Sequence, residues 1–244
     1  QVYRKDGTLL TPDRGSVRLY LGESATSPAR GPYPARWYSL KGPGVRFDRE
    51  DADSLLVAPA VPLPAAGTWS MVATMTVGGT ATTATNMIAV LPHETTPAVG
   101  EPAPTADTPT LASVGGDASR ISTASPPDRS LLRDSIPTLL AAHRPFLVAF
   151  ATPQFCTSRL CGPTIDIMRN VQKRFRGTPL AFVHAEIYRD LNPDNGQAPW
   201  VKAWRLPTEP WVFAVDASGR IVEKFEGAVT APELEAAGRR ALAG

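Results

Sequence analysis

Phe150-Ala151-Thr152-Pro153-Gln154-Phe155-Cys156-Thr157-Ser158-Arg159-Leu160-Cys161-Gly162-Pro163-Thr164 joins an apolar run to a helical one and carries both cysteines of the 244-residue chain. Upstream, Pro145 to Ala151 is almost continuously apolar, the pattern of a strand buried on both faces. Downstream, Ile165, Met168, Val171 and Phe175 fall on one stripe, which predicts a helix from about Pro163 to Phe175. Pro163 suits its first turn, where amide donors are unpaired anyway. Two cysteines among 244 residues are too few for a disulfide-built scaffold. Their confinement to one six-residue segment points to a local site.

Working outward from this segment, helices and strands alternate. Ser135 caps a predicted helix through Leu139, Leu140 and His143. After the cysteines come a strand from Leu180 to Tyr188, a short helix around Pro199 to Trp204, a strand from Trp211 to Val215, a turn at Asp216-Ala217-Ser218-Gly219, a strand from Arg220 to Phe225 and a helix from Ala231 to Leu242. This order predicts an α/β domain over 128–244, a mixed sheet with helices on both faces.

Residues 1–91 read differently, as an all-β sandwich domain. Ser16 to Leu21, Ala35 to Leu40, Ser54 to Ala58, Thr68 to Val77 and Thr80 to Val90 are short segments rich in Val, Thr, Tyr and Trp, with Gly and Pro between them. Gly78-Gly79 separates the last two as a hairpin turn in which glycine supplies positive φ angles. Between the domains, PHETTPAVGEPAPTADTP from Pro92 to Pro109 holds five prolines and almost no large apolar side chain. It cannot bury enough surface to fold alone and is expected to be a semi-rigid tether, while Leu111 to Pro127 is expected to drape over the next domain; together 92–127 reads as a Pro-rich linker and extended segment.

The 25 basic and 23 acidic residues leave a formal net charge of +2 and are interleaved along the chain. No basic run offers a footprint for nucleic acid. No stretch approaches the roughly 20 apolar residues of a membrane helix. The start at Gln1, running into strand-like sequence, suggests that an export signal, an anchor or a first strand precedes it.

Phe150 to Cys156 resembles the strand-to-cysteine junction of the thioredoxin superfamily, and Cys161-Gly162-Pro163-Thr164 resembles the start of that family's CGPC motif. Pro210-Trp211-Val212-Phe213-Ala214-Val215-Asp216 looks like the PxxFxxD strand of the exported, TlpA-like branch. Val99-Gly100-Glu101-Pro102-Ala103-Pro104 is similar to that branch's lead-in. In the first domain, Pro64 to Trp69 resembles the AGTW approach to a late strand of exported immunoglobulin-like modules. The resemblance implies a thioredoxin-like fold after Asp128, a cis proline at Pro210 facing the cysteines, and an extracytoplasmic location. It implies protein thiols or disulfides as partners, with the β domain positioning the molecule or binding an envelope protein. No cofactor is implied.

The motif departs from the family pattern, with four residues between the cysteines and Thr164 in the place of the second cysteine. Either Cys156 matches the first family cysteine with an enlarged loop, or Cys161 does. Residues five apart on a helix have Cα atoms roughly 8 to 9 Å from one another, beyond the roughly 7 Å reach of a disulfide. With Cys156 in the preceding loop, a Cys156–Cys161 disulfide is expected. In a redox reading Cys161 is the nucleophile, favoured by its helix position and by Arg159. Cys156 then resolves, and Pro210 with Glu209 lines up the substrate, although the Glu209 carboxylate opposes thiolate formation. The competing readings are a disulfide that only staples the loop in a non-catalytic envelope module, and SCO-like copper binding by Cys156, Cys161 and His184. Glu186, Arg189 and Asp190 read as a solvated rim or a local ion pair rather than an acid and base.

Overall fold

The computed structural model describes residues 12–24, 27–42, 45–46, 54–58, 61–63 and 65–244. Two compact units divide the chain, Gln1–Ser39 with Ser54–Glu94 and Leu40–Asp53 with Thr95–Gly244.

The first unit is all-β. Strands β1 (Arg18–Gly22), β2 (Arg30–Pro34), β5 (Gly67–Val77) and β6 (Thr80–Val90) form a sheet in the order β2-β1-β5-β6, and β3 (Arg36–Ser39) pairs with β4 (Ser54–Val57). β5 and β6 run in unbroken antiparallel register from Gly67↔Val90 to Val77↔Thr80. The turn between them sits at Gly78 (φ 56°) and Gly79 (φ 79°), angles that a Cβ resists. Val17, Ala35, Ala73 and Met75 make a small core on which Leu56 and Ala58 pack. β2 escapes sequence reading because Pro32 and Pro34 look like breakers. Proline is tolerated there because β2 is an edge strand.

The second unit is α/β, a mixed sheet with helices on both faces. Its sheet runs β10-β9-β7-β8, built from β7 (Phe146–Phe150), β8 (Ala181–Ala185), β9 (Trp211–Val215) and β10 (Ile221–Glu226). β7 and β8 are parallel, whereas β9 runs antiparallel to β7 and to β10. Every residue of β7, β8 and β9 is buried, as their apolar sequences require of central strands. On one face Phe150, Trp204 and Phe213 pack edge to ring at centroid distances of 4.7 to 6.1 Å. The other face carries α2 (Cys161–Gln172) and α4 (Ala231–Ala243), which also pack on each other. α2 buries Ile165, Met168 and Val171, and it begins two residues earlier than Pro163. α1 (Ile136–Ala141), capped by Ser135, and α3 (Pro199–Ala203) complete the unit.

The tether expected over 92–109 is corrected from Thr95 onward; in the stretch 111–127, expected to drape on the next domain, Leu111, Val114, Ala118 and Ile121 pack with Leu132. From Thr95 onward the chain belongs to the second unit. Gly100 N–H donates to Ile221 O at 2.7 Å, Ile221 N–H to Glu101 O at 2.9 Å and Ala103 N–H to Gly219 O at 2.8 Å. Ala103 and Ala106 enter the core, and Thr108, 1 % exposed, accepts the Ile136 N–H through Oγ1. The segment cannot fold by itself, but β10 offers an unpaired edge, and short side chains fill the shallow gaps behind it. Of 40–53, counted with the β domain from sequence, the described residues 40–42, 45 and 46 likewise cluster with the second unit. Among the described residues no helix is long and apolar enough to cross a membrane.

Candidate functional site

β7 ends at Phe150, and the chain leaves the sheet through a loop whose first turn closes with Phe155 N–H on Thr152 O at 3.1 Å. Cys156 stands in this loop, and Cys161 is the first residue of α2. Leu160, the residue before the helix, has no side chain capping the free amides of the first turn. The Cys156 sulfur fills that place, accepting the Cys161 N–H at 3.2 Å. Ser158 Oγ lies 3.3 Å from the same sulfur. Unpaired amides at a helix start favour a negative acceptor.

The two thiols are therefore held in opposite states. Hydrogen bonding from the Cys161 side chain, with further donors from Ser158 and the amides of Cys161 and Leu160, lowers the Cys156 pKa to about 6 against the opposing effect of partial burial. Cys161 is fully buried. Burial first, then the neighbouring Cys156 and the charge of Glu209, push its thiol up.

Two sequence expectations change here. Both cysteines are free thiols rather than a disulfide, so the pair stands in its dithiol form. The ease of ionisation is opposite to that expected: the Cys161 thiol first, then Ser158 and the amides at the helix start, bond the sulfur that reaches back to them, while Cys161 itself is held up by burial. Arg159, expected to supply the cation, is not among the chief causes of the lowered Cys156 value. Its backbone adopts φ 58°, the left-handed region that costs a side-chain-bearing residue about 1 kcal/mol or more.

The opposite wall is the turn before β9. Thr157 Oγ1 donates to Glu209 Oε1 at 3.2 Å, and the single Ser158 hydroxyl proton, shared with the Cys156 sulfur, is within reach of Glu209 O at 3.1 Å. The Glu209–Pro210 peptide is cis, and Pro210 O accepts the Gly227 N–H at 2.8 Å. Tyr188 joins the site from beyond β8, its ring against Phe155 at 6.2 Å. Burial, then the charges of Glu209 and the two cysteines, raise its phenol. Sequence reading missed Tyr188, Thr157 and Ser158. The two hydroxyls directly after Cys156 were the available signal.

His184 and Glu186 lie beneath this region. The His184 ring is engaged by Ser122 Oγ at 3.4 Å and Ala151 O at 3.0 Å. Glu186 is only 2 % exposed, so for this residue the solvated rim is corrected, whereas Arg189 and Asp190 are exposed. Its Oε1 takes the Thr123 N–H at 2.5 Å and the Thr123 hydroxyl at 2.8 Å, because 123 belongs to the segment packed over the sheet. The expected copper set of Cys156, Cys161 and His184 is not assembled; among the described residues no three His, Cys, Asp or Glu groups converge to hold a metal ion. A cleft of about 450 Å³ opens beside Gly162, lined by Thr123, Pro153, Gln154, Ile165 and Asp166 among others. Asp166 is tied off by Arg169 at 3.0 Å and by the Arg46 N–H at 2.7 Å.

No protein-family model matches the chain, and no curated protein matches it. Among solved structures, the chain is similar to a thiol:disulfide interchange protein of the thioredoxin family from Chlorobium tepidum TLS. That similarity has 18 % identity and a TM-score of 0.41, covering 59 % of this chain and 97 % of that one.

Proposed function

We propose that this protein is an extracytoplasmic thiol-disulfide oxidoreductase of the thioredoxin superfamily, TlpA-like in type, exchanging disulfides with exported proteins through Cys156 and Cys161. The observation that carries the reading is the pairing of a partly exposed sulfur, held at about 6 by the start of α2, with a second, buried thiol whose amide it accepts. A thiolate is the attacking species in exchange, and a pKa just below ambient pH supplies it without sacrificing all nucleophilicity.

In this reading the Cys156 thiolate attacks a substrate disulfide. A bond forms between Cys156 Sγ and one substrate sulfur, while the other leaves as a thiolate with the electron pair. Cys161 then gives up its proton and attacks Cys156 Sγ, expelling the second substrate thiolate. The protein ends with a Cys156–Cys161 disulfide and the substrate has gained two electrons; the reverse sequence oxidises a dithiol. Glu209 and Pro210, bound to the cysteine loop through Thr157 and Ser158, form the wall along which substrate backbone aligns. The β domain, read as an immunoglobulin-like module, positions the molecule or binds an envelope partner. An oxidising compartment fits this chemistry, since stable disulfide substrates occur there.

Equilibration with glutathione or dithiothreitol buffers tests the reading. A potential more oxidising than about −300 mV is expected, and a more reducing one marks an inert structural bond. Cys156→Ser abolishes turnover of a model disulfide. Cys161→Ser still attacks but accumulates the mixed disulfide, visible by intact mass. Turnover unchanged in Cys156→Ser removes the proposal.

A further inference from the structure

We propose that Glu209 makes Cys156 selective for cationic disulfides, that is, for exchange partners bearing lysine, arginine or amine groups beside their sulfurs. The inference rests on the exchange reading above and adds the substrate class to it. Glu209 meets the cysteine loop at two points, its Oε1 accepting the Thr157 hydroxyl and its carbonyl within reach of the Ser158 hydroxyl. Ser158 Oγ is itself 3.3 Å from Cys156 Sγ, so only one side chain separates the attacking sulfur from residue 209. A second carboxylate stands close by, where Glu226 Oε1 accepts the Thr208 hydroxyl at 2.6 Å. The charge of Glu209 is felt across the site, raising both Cys161 and Tyr188. Arg159 is the cation of the loop, three residues after Cys156.

The residue is partly buried and its carboxylate is tied at the surface to the cysteine loop, so its field reaches the mouth of the site. A unit charge several ångströms away in a solvent-rich setting changes an encounter rate by about threefold, and salt screens the effect over a Debye length of about 8 Å. An incoming disulfide with ammonium groups is therefore drawn to Cys156, and one with carboxylates is repelled. In each case the Cys156 thiolate forms a bond to one probe sulfur and the other leaves as a thiolate; the probes differ in charge and in leaving-thiol pKa, and the latter cancels when one pair of probes is compared between parent and variant.

The test uses the full chain, reduced, reacted at low ionic strength with cystamine, hydroxyethyl disulfide and dithiodipropionate. Formation of the Cys156 adduct is followed by mass and by released thiol. Cystamine is expected to react about tenfold faster than dithiodipropionate in the parent, with the neutral probe between them. Glu209→Gln reduces that ratio by about ninefold, threefold from each charged probe, whereas Glu209→Asp, which keeps the charge, retains it. The thiolate's own charge is common to all three proteins and cancels in the comparison. An equal ratio in parent and Glu209→Gln overturns the proposal, as does a fall in Glu209→Asp matching that in Glu209→Gln. Reaction with all three probes but no charge dependence overturns the selectivity alone; no reaction with any overturns the exchange reading and the selectivity with it.

Discussion

Cys156 closes the start of α2 with a sulfur where most helices use a hydroxyl or a carboxylate. Its rate of alkylation by iodoacetamide should rise with pH around a midpoint near 6, while Cys161 stays unreactive in the folded protein. Ser158→Ala removes one donor to the thiolate and is expected to move that midpoint upward, by less than loss of the hydrogen bond from the Cys161 side chain would. The same shift has a thermodynamic face. Folded Cys156 releases its proton near 6 and an ordinary cysteine near 9.0, so between these values the unfolded chain binds more protons and stability of the reduced protein rises with pH. Cys161 works in the opposite sense above 9.0, because only the unfolded chain ionises it there. Urea titrations of the reduced protein across this range should show the rise, and Cys156→Ser should flatten it.

Among the elements, α2 and α4 illustrate how far the sequence is legible. The α2 stripe of Ile165, Met168 and Val171 was readable from spacing, and so were the Gly78-Gly79 hairpin and the all-apolar β7. Roles within the cysteine pair were not, because spacing says nothing about which sulfur bends back to the helix amides. Glu186 misled for a related reason. A carboxylate at a strand end looks solvated until Thr123, 63 residues away, supplies its donors. α4 carries a comparable hidden constraint at Gly238, where a Cβ would come within 2.8 Å of Phe175 and 3.0 Å of Leu180. Gly238→Ala gains about 1 kcal/mol of helix propensity but is expected to lose about 1–3 kcal/mol to overpacking, for a net fall in the urea midpoint. Thr230→Ala, which breaks the capping box with Glu233, should cost about 1 kcal/mol by the same measurement.

For the molecule as a whole, the boundary between units falls after Glu94, and the proline-rich stretch that follows is structural. Composition alone suggested a tether, since proline and alanine bury little, yet backbone pairing with β10 needs no large side chains. Ala106→Asp places a carboxylate in the core cluster that contains Phe146 and Trp204, and is expected to destabilise the second unit by several kcal/mol, read as a lowered unfolding midpoint. The residues from Gly100 to Ala103 lie along one flank of the sheet, hydrogen-bonded to Gly219 and Ile221, and the turn Arg129–Leu132 lies against β8 at the other. A sheet whose last strand is left bare invites a neighbouring molecule to zip onto it. Here the chain spends its own least apolar stretch as a selvedge on β10, so crowded copies meet a finished hem at that border instead of a loose thread.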